Sequence, residues 1–258
     1  MPYLAKIFIY PIKSLDGVEV QQSAISVGGA LAHDREFAIV DAQGKFVNGK
    51  RTPKIHQIRS AFDLNQRTVT VQIPEQPPQT FHLDDDRSAL ASWLSNYFSY
   101  PVSLQQNQAQ GFPDDIEASG PTVVSTATLE TIARWFPALT LDQIRQRFRT
   151  NLEVAAAPAF WEDQLFGTVD EQMPFQIGTV QFWGCNPCQR CIVPTRDPQT
   201  GNSYPNFQKT FVAQRQATLP AQVERSRFNH FYRLTLNTKI PASEAGKMLA
   251  IDDQVRLT

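Results

Sequence analysis

All three cysteines of the chain fall within seven residues, Cys185, Cys188 and Cys191, in the run Gly-Cys-Asn-Pro-Cys-Gln-Arg-Cys. Thiolates are soft ligands for transition metals and are also readily made nucleophilic, so this segment is the first place to look for chemistry. A ferredoxin-type site would need a fourth thiolate, and no further cysteine exists. A zinc site could recruit His33, His56, His82 or His230, but none stands at a finger-like spacing from the cluster. Cys185 follows the apolar pair Phe182-Trp183 and reads as a small buried hydrophobe. Cys191 follows Arg190 directly, and a neighbouring guanidinium favours the thiolate that ligation or attack requires. A polar turn comes next, Thr195-Arg-Asp197-Pro198-Gln-Thr200-Gly201, placed to hold a ligand near that sulfur.

Two basic elements accompany the thiols. In Arg147-Phe-Arg149-Thr-Asn151, an inward strand orientation of Phe148 and Leu152 would put Arg149 and Asn151 together on the opposite face. Guanidinium forks are the preferred partners of phosphate and planar carboxamide-like groups. Lys13 and Ser14 follow a strand end, with His33-Asp34-Arg35 close behind, where amides and an ammonium can cradle an anion.

The elements that must position these residues are mostly short strands. Tyr3–Tyr10, Val18–Ile25, Glu36–Asp41, Lys45–Val47, Ile55–Leu64, Thr68–Ile73 and Phe81–Leu83 read as strands separated by turns. Asp85–Phe98 reads as a helix, with Leu90, Trp93, Leu94 and Tyr97 on one face. The Gln- and Asn-rich stretch 105–120 reads as an inter-domain connection. After it, Ser125 or Thr126 caps a helix carrying Leu129, Ile132, Ala133 and Phe136, and Thr140 with Gln143 forms a capping box. Strands at Leu152–Ala155, Gln172–Ile177, Thr179–Trp183 and Phe231–Leu236 follow, with a closing hairpin around Asp252-Asp253. The pattern predicts a mainly β, α+β protein with barrel-like sheets.

In order, these residues resemble the MOSC superfamily, the molybdenum-cofactor sulfurase C-terminal domain group, in the branch of the mitochondrial amidoxime reducing component and its bacterial relatives. The matching segments are Tyr10-Pro-Ile-Lys-Ser14, Gly29-Ala-Leu-Ala-His-Asp34-Arg35, Phe148-Arg149-Thr150-Asn151, Cys188-Gln-Arg190-Cys191 and Thr195–Gly201. Thr150 departs from the family's proline, and the segment before Pro121 lacks its Ser-Asp-Thr-Ser character. The resemblance implies an N-terminal β-barrel-like domain, residues 1–115, followed by a MOSC β-barrel domain, residues 116–258. It implies a molybdenum-molybdopterin cofactor with Cys191 as the protein's ligand to the metal. Lys13, Ser14, Arg35, Arg149, Asn151, Gln189 and Arg190 would line the pterin and its phosphate, with Ser119, Gly120 and Phe231 as further contacts.

The implied activity is reduction of N-hydroxylated small molecules. The implied electron source is a separate ferredoxin, flavoprotein or cytochrome, because no four-cysteine domain follows the last motif. A sulfur carrier bearing a persulfide on Cys191 and a three-cysteine iron–sulfur module are the competing readings. No lysine is marked as a Schiff-base former for pyridoxal phosphate. A net charge of −1 offers no field for nucleic acid or anionic membrane. The absence of a signal or membrane-length run, with an odd cysteine count, predicts a cytoplasmic protein.

Overall fold

The computed structural model describes residues 1–169 and 171–257. The chain opens with β1 (Tyr3–Ile9), β2 (Val18–Val20), β3 (Gln22–Ala24) and β4 (Phe37–Asp41). Next come β5 (Arg59–Asp63), β6 (Thr68–Gln72), β7 (Gln79–His82), α1 (Arg87–Phe98) and β8 (Val102–Gln106). A second half follows with β9 (Val123–Ser125), α2 (Thr126–Trp135), α3 (Leu141–Phe148), β10 (Leu152–Ala155), β11 (Met173–Ile177) and β12 (Val180–Gln189). It ends with α4 (Phe207–Ala217), β13 (Arg233–Lys239), β14 (Met248–Ala250) and β15 (Val255–Leu257). The protein is a sheet-rich α+β fold.

The main sheet has eight strands in the order β15-β11-β12-β13-β9-β10-β1-β2. Its pairings are antiparallel except β9 with β10, which run parallel on either side of the α2–α3 crossover. Among the described residues its ladder does not close into a barrel. A bridge from Tyr3 to Gln254, with Leu4 N donating to Asp253 O at 2.8 Å, ties β1 to the entry of β15. Smaller sheets pair β4 with β8, β14 with β3, and β5-β6-β7 in sequence.

Three apolar cores result. One fills the main sheet through residues such as Leu4, Ile7, Leu152, Phe175 and Phe182. A second packs α1, through Leu90, Leu94 and Phe98, on β4 to β8. The third gathers α2, α3 and α4 around Phe136, Phe148, Phe207 and Phe211, with Phe136 and Phe207 stacked at 4.3 Å. Both predicted caps are present: Ser125 accepts from Thr128 N, and Thr140 and Gln143 satisfy each other's backbone amides.

Several local expectations change. Val18–Ile25 is broken at Gln21 into β2 and β3, which join different sheets. Lys45–Val47 contributes a single bridge from Phe46 to Val40, not a strand. Pro53 diverts the start of Ile55–Leu64 into a short 3-10 turn, Pro53–Gln57, leaving β5 as the strand. No hairpin closes around Asp252-Asp253, because β14 pairs with β3 and β15 with β11. The stretch 105–120 is entered by β8, which pairs with β4 as far as Gln106.

Candidate functional site

A cavity of about 500 Å³ lies where the end of β1, the end of α3 and the loop after β12 meet. Lys13, Ser14, Arg35, Ser119, Gly120, Arg149, Asn151, Arg190 and Cys191 all line it. Cys188 does so too. Gln189 and Phe231 do not belong to this wall. Gln189 points to solvent, and Phe231 packs beside the main-sheet core with its ring stacked on Phe228 at 6.2 Å.

The backbone around the cavity is unusual. Ser14, Arg35 and Arg149 all adopt the left-handed conformation, with φ of 75°, 50° and 52°. Non-glycine residues pay a steric penalty there and persist where surroundings over-determine them, commonly at functional sites. Arg149 is therefore not the strand residue expected from its spacing to Phe148. Phe148 ends α3, Arg149 is its left-handed C-cap, and β10 begins only at Leu152. This turn brings Arg149 across the ring of Tyr10, 4.2 Å from its centroid. Burial pushes the Tyr10 hydroxyl up to about 12, and it donates to Thr150 O at 3.3 Å.

The cations divide into two classes. Lys13 is buried and donates to Phe112 O at 2.8 Å and Asp114 Oδ1 at 2.7 Å; burial lowers its pKa against the pull of Asp114. Arg35 pairs with Asp34, which also accepts from Tyr10 N at 2.9 Å. Arg147 is almost fully buried, donates to Pro194 O and Arg196 O, and lies 3.7 Å from Asp197 Oδ2. By contrast Arg149, Arg190 and Arg196 pair with no carboxylate among the described residues. Arg190 Nε and Arg196 Nε are buried without a hydrogen-bond partner. Desolvation lowers the pKa of Arg149. Unmatched guanidiniums in one cavity call for an anion.

Asn151 is tied to its neighbours within the protein. Its Oδ1 accepts from Thr122 N and Oγ1, and its Nδ2 donates to Phe8 O at 3.1 Å, fastening β10 beside β1. Gly120 is also explained by packing, since a Cβ there would lie 2.6 Å from Thr238 Oγ1. Arg147 is the residue whose importance the sequence reading missed. It anchors the Thr195–Gly201 turn, whose Asp197 Oδ1 accepts from Gln199 N at 3.0 Å and Thr200 N at 2.9 Å. That turn is thus a self-closed structural loop positioned by a buried guanidinium.

The three thiols do not form one site. Among the described residues no three His, Cys, Asp or Glu side chains converge for a metal, which removes the three-cysteine iron–sulfur arrangement. Cys185 leaves the cavity, and burial with the Asp115 charge pushes its thiol up to about 11. Arg190 was expected to act on Cys191, its neighbour in sequence. Instead its Nη1 lies 3.3 Å from Cys188 Sγ while Nη2 donates to Phe148 O at 2.7 Å. Arg190 follows the end of β12, whose register against β13 shifts between Pro187 and Gln189, and its bond to the Phe148 carbonyl holds the guanidinium beside Cys188. What remains is a cavity with two thiols and a surplus of unmatched positive charge, suited to a ligand that combines a soft metal with anionic groups.

Residues 1–143 match the MOSC N-terminal beta barrel domain and residues 119–245 match the MOSC domain. The chain is 25% identical to the mitochondrial amidoxime reducing component 2 of Homo sapiens over 239 residues, covering 77% of this chain and 68% of that protein. It is 24% identical to the molybdenum cofactor sulfurase of Homo sapiens over 246 residues, covering 77% of this chain but only 27% of the sulfurase. A similar match, 25% over 244 residues, extends to the sulfurase of Danio rerio. The two matches together span residues 1–245, and the chain belongs to the MOSC family, carrying both the N-terminal and the MOSC domain.

Proposed function

We propose that the chain binds the molybdenum-molybdopterin cofactor and reduces N-hydroxylated small molecules with electrons from a separate carrier protein. The observation that carries this reading is the meeting of Cys191 with Arg149 and Arg190, cations left unmatched by protein carboxylates among the described residues. A phosphorylated, dithiolene-bearing pterin supplies the missing negative charge, and a thiolate supplies the missing metal ligand. Cys191 would hold the metal. Arg149, Arg190 and Ser14 would face the pterin and its phosphate, with Lys13 and Arg35 kept in place by Asp114 and Asp34. Ser119, Gly120 and Asn151 shape the wall. Gln189 and Phe231 lie off it and take no part in this arrangement.

When bound, the cofactor supplies the two-electron redox chemistry. The net change is an N–OH group plus two electrons and two protons giving N–H and water. The chain's own residues bind, orient and keep charge balanced around that exchange. We place the domain division near residue 115, the two parts meeting at the cavity. A ferredoxin, flavoprotein or cytochrome is the proposed electron donor. The three free cysteines fit a reducing, cytoplasmic setting, and among the described residues no helix is long and apolar enough to cross a membrane.

The direct test is molybdenum analysis of protein made in a host that synthesises the cofactor. Near-stoichiometric metal in the wild type and its loss in Cys191→Ser are expected. Equal metal in both proteins, or none in either, would overturn the assignment. The sulfurase relatives favour one second reading, a persulfide on Cys191. Mass spectrometry after incubation with a cysteine desulfurase distinguishes it by one added sulfur on that residue.

A further inference from the structure

His56 and Arg196 share the cavity with the thiols but lie outside the set that the family resemblance implies. They stand on the wall formed by the Pro53–Gln57 turn and the loop after Cys191. His56 Nε2 and Arg196 Nε are both buried with no partner among the described residues. The imidazole has room because residue 49 is glycine: a Cβ there would lie 2.7 Å from His56 Nε2. Arg196 makes one long donation, from Nη1 to Gly201 O at 3.4 Å. The carboxylate next to it, Asp197, is committed to its own turn and to Arg147.

The charged groups that act on His56 are Arg149 at the end of α3, Arg196 and Asp197 on the loop, and Arg59 on β5. Arg59 is already paired with Asp16 at 3.2 Å. Burial first, then these cations, push His56 down to about 4, so the ring is neutral in the free protein at neutral pH. A neutral imidazole beside an unmatched guanidinium lacks negative charge and can add one positive charge of its own when an anion arrives.

We propose that His56 and Arg196 form an anion subsite for phosphate-bearing substrates, with His56 taking up a proton from solvent as the dianion binds. The charges then match: one guanidinium and one imidazolium against the two negative charges of a phosphomonoester. The word substrate rests on the reductase reading, whereas the subsite rests only on this wall. With its phosphate held here, an N-hydroxylated molecule is oriented by its distal end, and uncharged analogues bind less tightly.

Sulfate is the probe, a dianion of phosphate's shape with no titrating proton near neutrality. The holoprotein is titrated calorimetrically with sulfate in two buffers of different ionisation enthalpy, and molybdenum is measured on the same samples. Sulfate is expected to bind with uptake of close to one proton. His56→Gln should abolish the uptake and weaken binding about tenfold, and Arg196→Met should weaken binding about tenfold. Labelled-histidine spectra of the wild type give a readout free of any folding defect, the His56 resonance passing to its protonated position as sulfate is added. Unchanged proton uptake in His56→Gln, or a His56 resonance indifferent to sulfate, overturns the proposal. Molybdenum-free protein that still binds sulfate through these two residues sinks the reductase reading alone. Loaded protein indifferent to both substitutions sinks the subsite alone.

Discussion

Arg149 shows how function is set against stability at a single residue. Its guanidinium lies over Tyr10 in a half-buried position with no carboxylate partner among the described residues, on backbone held at a positive φ. An unmatched, partly desolvated cation opposes folding until an anion binds. Arg149→Met should therefore raise the stability of cofactor-free protein by about 1 kcal/mol while sharply lowering the molybdenum retained. Thermal melting of the cofactor-free form and metal content of the loaded form check the two halves separately. Arg149→Lys should keep the charge but lose the planar stacking, and metal retention should fall between wild type and Arg149→Met. A destabilised Arg149→Met with full metal content would mean the residue is a structural cap and nothing more.

Among the elements, α3 and the loop after β12 are coupled through Arg147. Removing that guanidinium in Arg147→Met leaves the carbonyls of Pro194 and Arg196 and the Asp197 carboxylate without their buried donor. The expected cost is about 3 kcal/mol in denaturant unfolding, with lower metal retention because Cys191 and Arg196 flank the loosened loop. Thr140→Ala breaks only the capping box at the other end of the helix and should cost about 1 kcal/mol with metal content unchanged. The contrast identifies which end of α3 serves the site. The caps at Ser125 and Thr140 were legible because their chemistry is local, and β10 was legible from its apolar run. The helix α4 was missed: Asn206 enters it in a left-handed conformation without a side-chain cap, and Arg215 on its buried face looks polar in sequence. The hairpin at Asp252 failed for the opposite reason, since its turn signal is real but its strands find partners distant in sequence. The cavity's basic residues were legible as types, while their pairing was not. Which cation meets a carboxylate, and that Arg190 turns to Cys188, are settled by tertiary contacts.

At the scale of the whole molecule, two buried glutamates make opposite demands on pH, one in each half of the chain. Glu36 accepts from both Arg67 nitrogens at 2.8 Å and from Gln106 at 2.6 Å, joining the start of β4 to the β5–β6 turn and to β8. Although burial alone would raise it, hydrogen bonds from His33, Arg67 and Gln106 hold its carboxyl well below the usual range. Its stabilisation is therefore fully present above the ordinary glutamate value of 4.5 and fades as pH falls below it. Glu162 lies behind α2, where Oε2 accepts from Ser125 N and Thr128 Oγ1 while Oε1 is buried without a partner among the described residues. Burial, with the Asp163 charge beside it, raises the Glu162 carboxyl well above the ordinary glutamate value. The folded state thus keeps a proton that the unfolded chain releases above 4.5, so stability falls as pH rises from there toward neutrality and levels off once the folded protein has released it too. The two terms together place the stability maximum on the acidic side of neutrality, near the shared reference value where neither penalty is developed. Glu162→Gln should remove most of the decline toward neutral pH, up to about 3 kcal/mol, and leave the acid limb in place. Glu36→Gln should lower stability by about 2 kcal/mol at neutral pH and flatten the acid limb instead. Denaturant unfolding across the pH range measures both limbs in one series. A Glu162→Gln protein whose decline toward neutrality matches the wild type would show that the buried carboxyl does not hold the extra proton in the fold and that another group produces the decline.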